Sequence, residues 1–286
     1  DRTTETLGLL YATHWPYRQY DTARGVRQSP LQARLAAEGA VFGEAAGWER
    51  PDFFGEKGQN TPYDQSFDRP AWFDLHAREH RAVRDDLGLF DLTSFAKFLV
   101  QGPDAQAALD HVCSSRMDVA AGRVVYTLLL NARGGVEADL TVTRLDRERY
   151  LLVLPGTMQR RAMHWLKRHM PRDLRATIAD VTAAEAVIGV MGPRSRDFLQ
   201  AASGADLSND ACPFGHCVDI EVGYAPVRAA RVTYVGELGW ELYVSSEFAA
   251  NVLDALLDRP ERPQLCGFHT LHSMRTESGF RHWGHD

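Results

Sequence analysis

The clearest hydrophobic pattern in this chain surrounds Gly134 and Gly135. Apolar, strand-like runs lie on both sides of this pair, in the segment YTLLLNARGGVEADLTVTRL at residues 126–145. Glycine adopts positive φ at low cost and therefore permits a tight reversal between two strands. The pattern predicts a β-hairpin in which Glu137 and Asp139, two residues apart, share one face of the returning strand.

Further apolar runs alternate with helical patterns along the rest of the chain. Gly102-Pro103-Asp104 is typical of a helix start, and Gly88 of the end of a helix. Strands are predicted at 88–102 and 150–156, at 185–195 where the strand runs into a Gly-Pro turn and a helix, and near 216–222 and 227–235, which lead to the segment 234–245. Further helices are predicted at about 69–87, 104–111, 157–170, 247–257 and 264–279. Strands adjoin one another as often as they adjoin helices. The predicted fold class is therefore mixed α+β with largely antiparallel sheets and flanking helices.

The first 70 residues have a different character. They are rich in aromatic residues interleaved with Gly and Pro, and a helix is predicted around 29–38, where Ser29 can cap and Pro30 suits the first turn. The remainder of this segment is predicted to be irregular and to pack against something outside the chain.

Composition narrows the class of protein. Hydrophobic residues make up 44% and charged residues 24% of the 286 residues, which is typical of a soluble globular protein. A net charge of −6 without a dense Lys/Arg patch argues against nucleic acid or an anionic membrane as partner. Because no apolar run approaches the roughly 20 residues that span a bilayer, and no leader precedes the chain, we expect a cytoplasmic protein. The scarcity of lysine relative to arginine indicates a bacterial source.

The four cysteines are also typical of a cytoplasmic protein. Cys113, Cys212, Cys217 and Cys266 form no CxxC pair, and the spacing of Cys212 and Cys217 lacks zinc-ribbon form. Reduced, structural thiols are therefore expected. The first residues, which lack a starting Met, are predicted to come from the interior of a longer protein.

Asp139 is the first candidate for chemistry. An ionised carboxylate on a strand near a core stabilises a cationic or iminium intermediate well. Two structural alternatives remain open on the residues alone: Asp139 satisfies turn amides, or Glu137 and Asp139 form a solvated face.

A second motif, TYVGELGWELYV at residues 233–244, presents Glu237 between Gly236 and Gly239. This pattern holds a carboxylate on a tight turn, with backbone close to a ligand. A carboxylate that accepts two parallel N–H bonds suits a pterin, and Tyr234 is placed to stack on or border the ring. A solvated hairpin tip is the alternative for the turn taken alone.

These motifs resemble the folate-binding aminomethyltransferase family, which includes the glycine-cleavage T-protein, and resemble still more closely the folate domains of dimethylglycine and sarcosine dehydrogenases. In that family the acidic residue of the GG(V/I)xxDL motif lies beside the reactive nitrogens of tetrahydrofolate, which implies a catalytic role for Asp139. The family's Y-x-G-E-x-G segment holds the pterin-recognising glutamate, which implies this role for Glu237.

The resemblance also implies further ligand contacts. The segment GFHTLHSMRTESGFRHWGHD at 267–286 is similar to the family's SLRxExG helix, where basic residues lie near the glutamate tail of the folate, so Arg275 is implied there. Leu271 replaces an additional arginine of some relatives, and a structural Arg275–Glu277 or interhelix pair is the alternative. Pocket-lining roles are implied for Tyr126, Phe95, Leu151 and Val153, each of which plain core packing also explains.

The resemblance covers nearly the whole chain. Residues 1–70 are similar to the linker module that follows the flavin domain of dimethylglycine and sarcosine dehydrogenases, and 71–286 to the folate domain without its C-terminal part. Since no G-x-G-x-x-G fingerprint occurs, FAD is expected only in a part of the parent protein outside this chain. The implied function is transfer of a one-carbon unit from an N-methyl amine, oxidised to an iminium by that flavin domain or a partner subunit, to tetrahydrofolate.

Three other functions remain open on the residues. His76-Ala77-Arg78-Glu79-His80 reads H-x-x-E-H, the inverted zinc-protease pattern, although the surrounding run resembles the folate family, which binds no metal there. A non-catalytic relative that kept the fold as a regulatory or interaction module is the second. A folate-dependent demethylase with another methyl donor is the third.

Overall fold

A computed structural model describes residues 1–59, 61–63 and 66–286. The helices are α1 Arg2–Leu9, α2 Gln32–Ala37, α3 Phe73–Asp85, α4 Ala105–Val112, α5 Gln159–His169, α6 Ser195–Ser203, α7 Ala249–Leu257 and α8 Phe268–Glu277, with a 3-10 turn at Gly156–Met158. The strands are β1 Ala40–Ala45, β2 Trp48–Phe54, β3 Gly88–Asp91, β4 Ala96–Gln101, β5 Val124–Leu130, β6 Val136–Arg144, β7 Arg149–Leu154, β8 Thr177–Asp180, β9 Glu185–Met191, β10 Cys217–Val222, β11 Ala225–Ala230, β12 Gly239–Ser245 and β13 Gln264–Cys266.

The strands form two main sheets and a separate hairpin. The six-stranded sheet has the order β10-β11-β12-β9-β3-β13, the five-stranded sheet the order β5-β6-β7-β4-β8, and β1 pairs with β2. Among the described strands, β13 and β3 run parallel and every other pair runs antiparallel. The predicted α+β class with largely antiparallel sheets is confirmed.

The hairpin predicted around Gly134 and Gly135 is present as β5 and β6. Gly134 has a φ of 78°, in the left-handed region, and Asn131 closes the turn by accepting hydrogen bonds from the N–H groups of Arg133 and Gly135, each at 3.0 Å. Asn131, and not an acidic residue, therefore satisfies the turn amides.

The strand predicted over 88–102 is wrong in one respect, because this run is two strands in different sheets. β3 lies in the six-stranded sheet and β4 in the five-stranded sheet. Between them Asp91 Oδ1 accepts from the Thr93 N–H at 3.0 Å, and Thr93 Oγ1 accepts from Val187 N–H at 3.1 Å. The buried ammonium of Lys97 donates to the carbonyls of Thr93 and Glu185, both at 2.8 Å. Side chains that bond the backbone locally break the strand and fix the crossing.

The helix predicted around 29–38 is present as α2, and the prediction that the rest of the N-terminal segment is irregular is wrong in part. The structure has helix α1 and the hairpin β1–β2, whose turn places Ala46 and Gly47 at φ values of 52° and 82°. Two positive φ values are those of the hairpin turn that matches strand twist. Strand β2 packs so closely on the start of α8 that a Cβ at Gly267 would lie 2.2 Å from the Asp52 carbonyl carbon.

Several element ends differ from the predictions. The helix predicted over 69–87 is shorter, and Gly88 begins β3 instead of capping the helix. The first residues of the helix predicted over 264–279 form β13, and β8 has no counterpart among the predicted strands. Short strands that pair only across distant sequence leave little local pattern.

Three apolar clusters form the core. One lies on the six-stranded sheet with α6 and α7, and a second on the five-stranded sheet with α4 and α5. The third draws Phe90 and Val187 from the six-stranded sheet, Leu151 from the five-stranded sheet, and Leu271 and Met274 from α8. This third cluster is where the two sheets and α8 meet, and it positions the candidate site. No helix in the described part of the chain has the length and apolar character needed to cross a bilayer.

Candidate functional site

The third cluster brings together residues that are far apart in sequence. Leu151 and Val153 of β7 are buried in it, and Phe95 and Tyr234 pack against it while half-buried. Tyr126, with 64% of its surface exposed, lies outside the cluster but close enough to Tyr234 for their charges to interact. The structure therefore gathers the predicted apolar residues, although their contact with a ligand stays a prediction.

Asp139 lies half-buried on β6, and its two carboxylate oxygens have different environments. Its Oδ2 accepts a hydrogen bond from the Tyr126 hydroxyl at 3.3 Å, whereas its Oδ1 is buried and has no partner among the described residues. Burial raises the pKa of Asp139, and its own backbone N–H and the Tyr126 hydroxyl oppose that rise. A buried acceptor without a donor is costly, so Oδ1 is the atom best prepared to accept from a ligand.

Glu137 shares the face of Asp139 but has a different environment. Its Oε2 accepts from Arg161 Nη2 of α5 at 2.6 Å, and its Oε1 from Asn131 Nδ2 at 2.9 Å. Both oxygens thus hold the hairpin and α5 in place, and the arginine bond lowers the pKa of Glu137. The two acidic residues therefore do not form one solvated face.

Tyr234 lies close enough to Asp139 for their charges to interact. Burial raises the pKa of Tyr234 to about 12, with Arg275 opposing the rise and the carboxylates of Asp139 and Asp286 adding to it. Its hydroxyl donates to the Arg281 carbonyl at 2.6 Å, and its ring stacks on Phe280 with centroids 6.0 Å apart.

Arg275 is buried on α8 and already has partners. Its Nη1 donates to Asp286 Oδ2 at 2.5 Å and to the Phe280 carbonyl at 3.2 Å. This ion pair holds the pKa of Asp286 down at about 2. Residues 280–286 are thereby fixed beside Tyr234, and an Arg275–Glu277 pair is not what the structure shows. Binding of a folate tail by Arg275 stays a prediction.

Glu237 lies on the turn before β12, three residues beyond Tyr234. Gly236 has a φ of 77°, and a Cβ there would lie 2.0 Å from Ser278 Oγ, so the turn rests directly on the end of α8. The Glu237 carboxylate forms an ion pair with Arg84 of α3, whose Nη2 also bonds Glu277 Oε2 at 2.6 Å. The pattern at 233–244 gave no sign of this arginine, because it comes from a distant helix.

Asp139 and Glu237 are not in direct contact in the described part of the chain. Asp139 bonds Tyr126 and lies near Tyr234, whereas Glu237 pairs with Arg84 of α3. A ligand that uses both acids therefore has to reach two separate side-chain environments.

The H-x-x-E-H residues have structural roles. Glu79 is 1% exposed, and its carboxylate accepts from the N–H groups of Phe54 at 2.7 Å and Gly267 at 2.9 Å and from Thr270 Oγ1 at 2.6 Å. His80 bonds Ser273 and Glu277. Among the described residues no group of three or more His, Cys, Asp or Glu side chains is arranged around a metal position.

Two open cavities lie elsewhere on the surface. One of about 660 Å³ borders Gly102, Arg149 and Arg175, and one of about 470 Å³ borders Arg27 and the Arg160 face of α5. Neither is lined by a residue that the sequence predicts to bind a ligand. Because their charged side chains are mostly paired or solvated, they give no comparable chemical signal.

Comparison of the sequence with known proteins finds one family and several relatives that match this chain. The sequence model of the GCVT N-terminal domain matches residues 31–286. Over its whole length the chain is 48% identical to 4-methylaminobutanoate oxidase (formaldehyde-forming) from Paenarthrobacter nicotinovorans, and the match covers 35% of that protein. Over 99% of its length it is 33% identical to mitochondrial dimethylglycine dehydrogenase from Rattus norvegicus, and the match covers 33% of that protein. Over its whole length it is 31% identical to the mitochondrial pyruvate dehydrogenase phosphatase regulatory subunit from Mus musculus, and the match covers 33% of that protein.

The chain thus spans about a third of the length of these curated relatives. Among solved structures, the glycine cleavage system aminomethyltransferase T from Bartonella henselae superposes with a TM-score of 0.75. That match covers 90% of this chain and 64% of the other at 23% identity, and it shows a shared fold.

Proposed function

This chain belongs to the GCVT N-terminal domain family of aminomethyltransferases, and from that premise we propose that it is the tetrahydrofolate-binding, one-carbon-transfer part of a longer N-methyl amine dehydrogenase or oxidase. The relatives named for oxidation of methylated amines support the chemical context. Their greater length leaves room for the FAD-binding part, which we propose lies in the same parent chain or in a partner subunit.

The observation that carries the proposal is the buried Oδ1 of Asp139, which accepts no hydrogen bond from a side chain or from another residue's backbone in the described part of the chain. It lies next to an aromatic and apolar wall that includes Tyr234 and Leu151. A flat heterocycle with N–H donors on one edge fits such a surface, because its faces bury against apolar side chains and its donors satisfy the carboxylate. The residues present therefore suit a reduced pterin.

When bound, tetrahydrofolate supplies two nitrogens that displace the amine from the methylene carbon of the iminium, giving methylene-tetrahydrofolate, the free amine and a proton. Asp139 supplies negative charge beside the reacting nitrogens and accepts a proton from one of them. Tyr126 holds the Asp139 carboxylate through its 3.3 Å bond, so that Oδ1 keeps its direction. Glu237 orients the pterin by accepting its donors.

The apolar residues and Arg275 complete the proposed site. Phe95, Leu151 and Val153 exclude water from the reacting centre, which prevents hydrolysis of the iminium to formaldehyde. Arg275 keeps residues 280–286 against Tyr234 and lies where a carboxylate of the ligand's tail can compete with Asp286 for its guanidinium.

Replacing Glu237 by alanine is expected to weaken tetrahydrofolate binding by about tenfold to a hundredfold, because a charge-assisted hydrogen bond contributes about 1.5–3 kcal/mol. Anaerobic isothermal titration calorimetry measures the change. Glu221→Ala, on strand β10, is a suitable control because its exposed side chain has no hydrogen bond or ion pair in the described structure. Unchanged affinity in Glu237→Ala would remove Glu237 from the proposed site.

A regulatory module is the second candidate, and the 31% identity to a phosphatase regulatory subunit favours it. The same titration separates the two functions. Wild-type chain that releases no heat with tetrahydrofolate, while its thermal unfolding remains cooperative, would support the regulatory function and contradict the enzymatic one.

A further inference from the structure

Arg84 connects the proposed pterin-binding glutamate to the rest of the fold. It lies in the last turn of α3, and its two terminal nitrogens bond different carboxylates: Nη1 reaches Glu237 and Nη2 reaches Glu277 at 2.6 Å. Glu277 in turn bonds His80 Nε2 at 3.1 Å, and His80 Nδ1 bonds Ser273 Oγ at 3.0 Å. The network joins α3, α8 and the turn before β12.

One oxygen of the Glu237 carboxylate remains available to a ligand. In the described structure Oε1 pairs with Arg84, and Oε2 keeps its capacity to accept hydrogen bonds. The backbone supports this arrangement, since the Gly236 turn rests on Ser278 and cannot move toward α8. Because Arg84 gives one nitrogen to Glu277 of α8 and the other to Glu237, its guanidinium is itself held in place and offers Glu237 a donor at a fixed position.

We infer that Arg84 is a positioning residue for Glu237, which anchors Oε1 of that carboxylate so that Oε2 faces the donors of the pterin. This inference rests on the proposed function, because it assigns Arg84 a role through Glu237. Arg84 touches no reacting atom. It lowers the ordering cost of folate binding by holding Glu237 in one orientation before the ligand arrives.

A double-mutant cycle tests the inference, with tetrahydrofolate affinity measured by anaerobic calorimetry on the full chain. Arg84→Ala is expected to weaken binding by about tenfold in the wild-type background. In the Glu237→Ala background the same change is expected to have less than about a twofold effect, because the group through which Arg84 acts is gone. Arg84→Lys is expected to fall between, since one ammonium does not hold both carboxylates.

Arg78→Ala is the matched control. Arg78 lies on the same helix and pairs with Glu56 at 3.3 Å, so the variant removes an α3 ion pair without touching Glu237. We expect wild-type affinity from it. If Arg84→Ala unfolds, Arg84→Lys carries the same cycle, and thermal unfolding identifies that case.

The outcomes are separable. A loss from Arg84→Ala that is equal in both backgrounds, or tighter binding by Arg84→Ala, overturns the positioning role alone. Wild-type chain that does not bind tetrahydrofolate overturns the proposed function, and the positioning role falls with it. An effect confined to backgrounds that retain Glu237 supports the inference.

Discussion

Asp139→Ala is expected to lower the rate of one-carbon transfer by about 10²–10³-fold, while the dissociation constant for tetrahydrofolate changes by less than about threefold. In the bound ground state the bond that the ligand donates to Asp139 is offset by the cost of burying that carboxylate further. The carboxylate acts on charge and protons that develop during transfer, so its removal affects the transition state more than the bound ground state. The rate is measured in single turnover, with tetrahydrofolate and an N-methyl amine oxidised in situ by an added flavin amine oxidase. Subtracting the reaction without the chain removes uncatalysed condensation.

Glu137→Gln is the matched control for Asp139. It lies on the same face of β6, but its oxygens bond Arg161 and Asn131. We expect wild-type transfer and a small loss of stability from it. If Asp139→Ala transferred as fast as Glu137→Gln, or lost binding and transfer in equal measure, the proposed catalytic role would be wrong.

The second large effect concerns stability. Glu79→Ala is expected to lower the free energy of unfolding by about 3–5 kcal/mol, because it leaves the buried N–H groups of Phe54 and Gly267 without an acceptor and opens a cavity. These bonds join β2 and the start of α8 to α3. Urea denaturation of wild type and variant measures the difference. A loss below about 1 kcal/mol would contradict the structural role.

Glu79 also predicts a pH dependence. Burial raises its pKa from 4.5 to about 7, with the bonds from Thr270, Gly267 and Phe54 opposing the rise. Between pH 4.5 and 7 the Glu79 carboxyl is ionised in the unfolded chain but keeps its proton in the folded chain. Its contribution to the free energy of unfolding is therefore complete below about pH 4.5 and is lost as pH rises through 7. The loss is up to about 3 kcal/mol. In Glu79→Gln, which cannot ionise, this slope between pH 4.5 and 7 is expected to disappear.

Local pattern was enough to predict the class of fold and the hairpin that carries Asp139. Alternating apolar residues and a glycine turn are properties of neighbouring residues, so the sequence displays them directly. The resemblance to the aminomethyltransferase family, carried by the GGVEADL and YVGELG segments, is confirmed by the family match over 31–286. The roles of Asp139 and Glu237 within that family stay predictions.

What the sequence did not reveal depends on contacts between distant residues. Arg84 lies 153 positions from Glu237, and nothing near either residue indicates the pair. The break between β3 and β4 was hidden because both halves are apolar and extended, and the bonds of Thr93 and Lys97 to distant backbone, which help to separate them, leave no local pattern. Hydrogen bonds between a side chain and a remote carbonyl leave no period in the sequence.

The crossing from β3 to β4 has a mechanical consequence. The ammonium of Lys97 ties the crossing to the first residue of β9, so the two sheets share a stiff joint beside the third apolar cluster. Separation of the crossing from β9 would take the Glu185 carbonyl away from a buried cation, which makes hinge opening at this joint energetically unfavourable. We therefore expect the two sheets to keep their relative positions when a ligand reaches Asp139, with the scaffold behaving as a rigid frame.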